Sequence, residues 1–174
     1  MEIKEAYKFC PRCGQATQTQ SNRAHCPACG LDTYFAPKPV QEVVLRNDKS
    51  EYLFCVRGIE PNKGSLDFPG GFIEADENFE QGARRELKEE LGIEVDELEY
   101  LSSSCDDYLF QGINYKIVGV SFYATLPAGA KPQPADDVMA IEFYKLADIP
   151  MERIAWPSAH ELIKKLAERE SKNS

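Results

Sequence analysis

Three glutamates, Glu86, Glu89 and Glu90, crowd into the stretch Gly70 to Ile93, GGFIEADENFEQGARRELKEELGI. The segment Asn78 to Leu91 around them has no proline and one glycine, and it is rich in Glu, Arg, Leu and Ala. That composition predicts a helix, with Glu77 at its positive end and Gly92 as its stop. At 3.6 residues per turn, Glu86 and Glu90 lie about 40° apart and Glu89 about 60° to the other side of Glu86. Three carboxylates on one face repel one another, so a cation is expected to repay them. A hard divalent ion such as Mg²⁺ or Mn²⁺ prefers oxygen ligands and fits that role. Three glutamates alone would read as a solvated acidic face. Their surroundings point elsewhere.

A second set of chemically apt residues lies near the N-terminus. Cys10-Pro-Arg-Cys13 and Cys26-Pro-Ala-Cys29 are separated by twelve residues, a spacing that reads as a four-thiolate structural Zn²⁺ site. Gly14 and Gly30 follow the second cysteine of each pair, where a knuckle turns tightly. Disulfides or a redox pair are the alternatives. The start, MEIKEAYKF, lacks the apolar core of a secretory signal, and this weighs against disulfides.

The elements that must position these groups follow from the pattern. Pro69, Gly70 and Gly71 predict a sharp turn from the apolar run Ser65–Phe68 toward the helix. Glu77 and Arg85 could tie that loop to the helix by a charge-assisted hydrogen bond. Gln41–Arg46 and Glu51–Arg57 read as a β-hairpin, with Leu98–Ser104 and Tyr115–Leu126 as further strands. Asp106–Phe110 reads as an acidic, aromatic connection between them, on which Tyr108 or Phe110 could stack a base. Arg57 could meet a substrate phosphate, or close a salt bridge at its strand end. Pro157–Glu170 reads as an amphipathic closing helix, with Ser158 as N-cap and Glu161 completing a capping box.

The order Gly71, five residues, Glu77, seven residues, then Arg85-Glu86-Leu87-x-Glu89-Glu90-x-Gly92-Ile93 resembles the box of the Nudix hydrolases. The resemblance implies an α/β fold, an α/β/α sandwich with a mixed sheet. It also implies hydrolysis of a pyrophosphate bond in a nucleoside diphosphate linked to another moiety. By the same resemblance Glu86 and Glu90 would be the main metal ligands. Glu89 would be a further ligand or the base that orients water, and Gly70, Gly71, Glu77 and Arg85 would support the loop. A family glutamate three residues before an aromatic falls on Ala140, so that assignment fails here. Asp136 and Asp137, in the preceding loop, are left as groups that could reach the site.

The cysteine pairs resemble a zinc ribbon, and a ribbon ahead of such a domain is similar to the layout of NADH pyrophosphatases. This predicts a ribbon and linker over 1–36 and a hydrolase domain over 37–174. The Ser-Gln-Pro-Trp signature of those enzymes is not matched by YLSSSCDDYLF, and no extra N-terminal domain is expected. The substrate class therefore spans NADH, NAD, ADP-ribose and nucleotide sugars. A nucleoside triphosphate, or a non-catalytic nucleotide sensor whose ribbon binds nucleic acid or protein, is the alternative.

The 174 residues carry 43% hydrophobic and 28% charged residues, enough for a packed core. No apolar run approaches the roughly 20 residues needed to span a bilayer, so a cytoplasmic protein with no membrane partner is expected. The net charge of −9 argues against nucleic acid as a partner. The expected partner is a small nucleotide, and a ribbon beside a hairpin offers a surface for a homodimer.

Overall fold

The computed structural model describes residues 1–173. Two compact units emerge, one of residues 1–38 with 107–117, the other of 39–106 with 118–174. The first begins with the single turn α1 (Ile3–Ala6) and contains a three-stranded antiparallel sheet, β1 (Gln18–Thr19), β2 (Arg23–His25) and β3 (Asp32–Tyr34). Each cysteine knuckle closes as its spacing predicts. The amides of Gly14 and Gly30 donate back to the carbonyls of Cys10 and Cys26 at 2.9 and 2.8 Å. Both glycines have φ near +73°, which a side chain would resist.

The second unit is built on a mixed sheet. Its sheet comprises β4 (Lys38–Arg46), β5 (Tyr52–Arg57), β6 (Leu66–Asp67), β7 (Gly70–Phe72), β8 (Glu99–Phe110), β9 (Ile113–Thr125) and β10 (Val138–Tyr144), of which Lys38, the end of β8 and the start of β9 are counted in the first unit. The main order is β10-β5-β4-β9-β8, with β6 on β5 and β7 on β4. Strands β4 and β9 are parallel and the other pairs antiparallel. Alternation along β4 and β5 feeds two cores. Val43, Leu45, Leu53 and Cys55 face α2 (Phe79–Leu91), where Ala83, Leu87 and Leu91 are fully buried. Val44, Tyr52, Phe54 and Val56 face α3 (Pro157–Asn173) through Ala159, Leu162, Ile163 and Leu166. The result is the expected α/β/α sandwich.

Helix α2 starts and stops where its residues dictate. Asn78 accepts from the Gln81 amide while the Gln81 side chain accepts from the Asn78 amide, a reciprocal cap. Gly92 ends the helix at φ +65°. The proline-rich segment 127–135 then satisfies its last carbonyls, the amides of Gln133 and Ala135 donating to Leu91 and Glu90 at 3.0 and 2.9 Å.

Three expectations change. Gly70 and Gly71 are not a free turn, because they pair with Glu42 and Gln41 as strand β7. Residues 106–110 are not a connection but the end of β8, since the reversal needs only Gln111 and Gly112, both at positive φ. Pro157 itself opens α3, so Ser158 lies inside the first turn, and its amide donates to Asp106 at 3.2 Å.

Candidate active site

Strand β7 and helix α2 bring the carboxylates to one place. Glu90 is only 5% exposed, and its Oε2 accepts from the Gly70 amide at 3.0 Å. Burial, then the nearby charges of Glu86 and Asp137, push its carboxyl up to about 9. Glu86 is also raised by burial, against the lowering effect of Arg85. Glu89, one turn along, is half-exposed at the rim.

Arg85 organises this group. Its Nε and Nη2 grip Glu77 in a bidentate pair at 2.6 and 3.0 Å. Its Nη1 reaches Glu86 at 2.8 Å and Glu89 at 2.9 Å, and Nη2 also donates to the Phe72 carbonyl at 3.0 Å. One guanidinium thus fixes β7, the loop before α2 and two acidic side chains. Hydrogen bonds from Arg85 hold the Glu77 carboxyl below its usual range. Burial is the main cause of the upward pull on Glu86 and Glu90, and the neighbouring carboxylates add to it.

The two glycines serve this geometry in different ways. A Cβ on Gly70 would lie 2.2 Å from the Gln41 carbonyl oxygen, at φ +154°. A Cβ on Gly71 would lie 2.3 Å from Glu86 Oε1. The first glycine lets two backbones meet; the second leaves room for a carboxylate.

Asp137, one of the two loop aspartates left as groups that could reach the site, acts on the carboxylates. Its charge helps to raise the carboxyls of both Glu90 and Glu86. Its carbonyl accepts from the Gly58 amide at 2.6 Å. The pairing of β10 with β5 slips between Val138 and Ala140, which face Arg57 and Val56. This bulge at Met139 puts Val138 into the α2-side core and Ala140 against the α3-side core. Position 140 therefore points away from the carboxylates, while the charge of the residue just before the strand acts on them. Glu142 is tied to Arg153 at 2.6 and 3.0 Å.

On the opposite face of the sheet lies a group that sequence patterning missed. Ser121 Oγ donates to Glu42 Oε1 at 2.7 Å, and burial pushes the Glu42 carboxyl up to about 7. Arg57 takes the strand-end role, donating to Asp67 at 3.1 Å and to the Pro61 carbonyl at 3.0 Å. Trp156 Nε1 also donates to Asp67 at 2.8 Å. Tyr108 and Phe110 belong to the first unit, on one side of β8 with ring centroids 6.1 Å apart.

In that unit the sulfurs of Cys10, Cys13, Cys26 and Cys29 all lie within 4.8 Å of one another, a cluster able to coordinate a metal. The Cys10–Cys29 and Cys13–Cys26 separations are 3.6 Å, near the edge of roughly 3.8 Å expected for four thiolates tetrahedrally around Zn²⁺. All six cysteines are free of disulfides. Among the described residues no helix is long and apolar enough to cross a membrane.

Residues 37–166 match the model of the NUDIX domain. The NAD-capped RNA hydrolase NudC of Haemophilus influenzae is 37% identical over 109 residues, covering 57% of this chain and 39% of that protein. The NAD-capped RNA hydrolase ndx-9 of Caenorhabditis elegans is 32% identical over 100 residues, covering 56% and 27%. The chain thus spans well under half the length of these curated relatives. A NUDIX hydrolase structure from Nitrosomonas europaea superposes with a TM-score of 0.71 at 28% identity, covering 90% of this chain and 88% of the other. One expectation is overturned. Relatives of this segment are RNA hydrolases by name, so net charge is no ground for setting nucleic acid aside. Charge summed over a whole chain does not describe the local field that a phosphate meets.

Proposed function

The chain belongs to the NUDIX domain family, and from that premise we propose that it is a divalent-metal-dependent pyrophosphohydrolase acting on a nucleoside diphosphate linked to another group, with NAD-like molecules as the substrate class. The observation that carries this is the placement of Glu90 on the Gly70 amide and of Glu86 and Glu89 on Arg85, one acidic face of α2 against β7, with the charge of Asp137 acting on Glu86 and Glu90. Their mutual repulsion and oxygen-only donor set suit Mg²⁺ or Mn²⁺. Glu86, Glu90 and Asp137 would hold the ion, and Glu89 would join them or accept the proton of the attacking water. The ion would supply Lewis-acid polarisation of the phosphoryl oxygens and a bound water of lowered pKa. Arg85 keeps Glu86 and Glu89 aimed, and Gly71 leaves the space Glu86 occupies.

The substrate class rests on the NAD-capped RNA hydrolases that match this segment, and an NAD group on RNA is included in it. The four-cysteine cluster is read as a structural zinc ribbon over 1–36, ahead of a hydrolase domain over 37–174, the layout of NADH pyrophosphatases. Six unpaired thiols suit a reducing compartment, so a cytoplasmic location is part of the proposal. The test is product analysis after incubating the protein with NADH, NAD, ADP-ribose, a nucleoside triphosphate and an NAD-capped oligoribonucleotide, each with Mg²⁺ or Mn²⁺. Release of AMP or NMN from a dinucleotide is the expected result. Cleavage of the triphosphate alone would overturn the substrate class, and no cleavage of any of them would overturn the enzyme.

A further inference from the structure

A cavity of about 610 Å³ opens in the second unit among residues that the carboxylate cluster does not use. Its walls come from the end of β4, the turn into β5, the segment after β10 and the last turns of α3. The chain is acidic overall, yet three cations, Arg46, Lys145 and Arg169, line this one hollow; Glu170 lies beside Arg46 and Glu99 pairs with Arg169, and Lys145 is the excess charge. Hydroxyl-bearing residues Ser50, Tyr52 and Tyr123 line it as well.

The polar groups are incompletely satisfied. Arg46 Nη2 donates to Ser50 at 2.7 Å, but its buried Nε has no acceptor. The Glu170 carboxylate is 3.6 Å from that Nε, and its Oε1 already accepts from Tyr52 at 2.8 Å. The Arg169 guanidinium carbon lies over Tyr123, 4.4 Å from the ring centroid, and the side chain is anchored to Glu99 at 2.6 and 2.7 Å. Lys145 is exposed at the cavity wall and, among the described residues, has no carboxylate partner. The Lys145 ammonium, lacking a counter-ion among the described residues, calls for anionic oxygen, and Arg46 offers further guanidinium donors beside it. The guanidinium groups of Arg46 and Arg169, each held beside a carboxylate, are donors that cost little to reorganise when such a group enters.

We propose that this cavity is a second binding site, distinct from the carboxylate cluster, for a phosphate group carried on a nucleotide. The volume exceeds what a bare oxyanion needs and matches the lower range of small-ligand pockets, so the phosphate arrives with an organic group attached. The phosphate belongs beside Lys145 and Arg46, and the rest of the ligand belongs toward Tyr123. A free nucleotide and the end of an RNA chain share this chemistry.

The test is calorimetric titration of the full, zinc-loaded chain in buffer without Mg²⁺ or Mn²⁺, using AMP, a 5′-phosphorylated triribonucleotide and inorganic phosphate. Wild type and Glu86→Gln should bind AMP or the trinucleotide alike, while Lys145→Glu should weaken that binding by about tenfold or more. Hydrolysis by Lys145→Glu should stay within about twofold of wild type, because Lys145 is an exposed side chain outside the carboxylate cluster. Tighter binding of AMP than of the trinucleotide assigns a free nucleotide, and the reverse assigns an RNA end; either supports the site. Equal affinity in wild type and Lys145→Glu overturns it. So does an absence of binding by all three probes up to about 10 mM, or loss of AMP binding in Glu86→Gln.

Discussion

Replacing each of two adjacent glycines by alanine should separate folding from chemistry. In Gly71→Ala the new Cβ would stand 2.3 Å from Glu86 Oε1 and 2.8 Å from its Cδ. Ordinary contact begins near 3.4 Å, so the carboxylate must retreat by about 1 Å. It is the end of a flexible side chain, and the Arg85 guanidinium that holds it can follow it. Stability should then change by no more than about 1 kcal/mol. A shift of about 1 Å in a group at the reacting centre, in contrast, can cost about 10²-fold in rate. In Gly70→Ala the Cβ meets backbone, 2.2 Å from the Gln41 oxygen and 2.7 Å from the Glu42 Cα, with φ at +154°. Overpacking and backbone strain together should cost roughly 3–5 kcal/mol, a large part of a typical domain's stability. Thermal or urea unfolding beside coupled phosphate release reads both quantities. The expected pattern is a stable, nearly inactive Gly71→Ala and a destabilised Gly70→Ala. A fully active Gly71→Ala, or one as unstable as Gly70→Ala, would refute the reasoning.

Further outcomes follow from other parts of the molecule. Asp137→Asn should lower turnover by about 10²-fold or more while Ala140→Ser leaves it within about threefold, both measured by product release; the reverse order would return the role to position 140. The Glu42 carboxyl, raised to about 7 in the folded chain, binds a proton there that the unfolded chain has already lost above its ordinary pKa. Its contribution to stability is therefore fully present below about pH 4.5 and is lost as pH rises to about 7. Glu42→Gln should remove that slope and leave the protein about 3 kcal/mol more stable than wild type at pH 8, as read by urea unfolding across pH. Mercurial titration of the thiols should release one Zn²⁺ per chain, and Cys13→Ser should bind it far more weakly; a chain that folds without bound metal would count against the ribbon.

The parts of the fold governed by local rules were legible in the sequence. The limits of α2 follow from Asn78, Gln81 and Gly92, and the cysteine knuckles from Gly14 and Gly30, because caps and tight turns are written in adjacent residues. The pairing of Glu77 with Arg85 was equally readable from their spacing. Asp137 was only one of two loop aspartates that could reach the site. Its approach to Glu90 depends on a bulge at Met139, an inserted residue that reverses the alternation on which strand reading relies. Glu42, Ser121, Asp67 and Trp156 escaped for a different reason. They come together from distant strands and the residue just before α3, and no short-range pattern marks them. The extension of β8 was hidden by its acidic and aromatic residues, although Gln111-Gly112 held the turn signal.

The account stands or falls on whether the buried carboxylates are the hydrolytic centre. The direct measurement is the Mn²⁺ dependence of NADH cleavage by wild type and by Glu90→Gln, with both proteins shown to be folded by circular dichroism. The account predicts saturable, metal-dependent release of AMP and NMN by wild type, and a loss of at least about 10³-fold in Glu90→Gln at saturating Mn²⁺. Cleavage by Glu90→Gln at the wild-type rate, or cleavage that is indifferent to the metal, would contradict it.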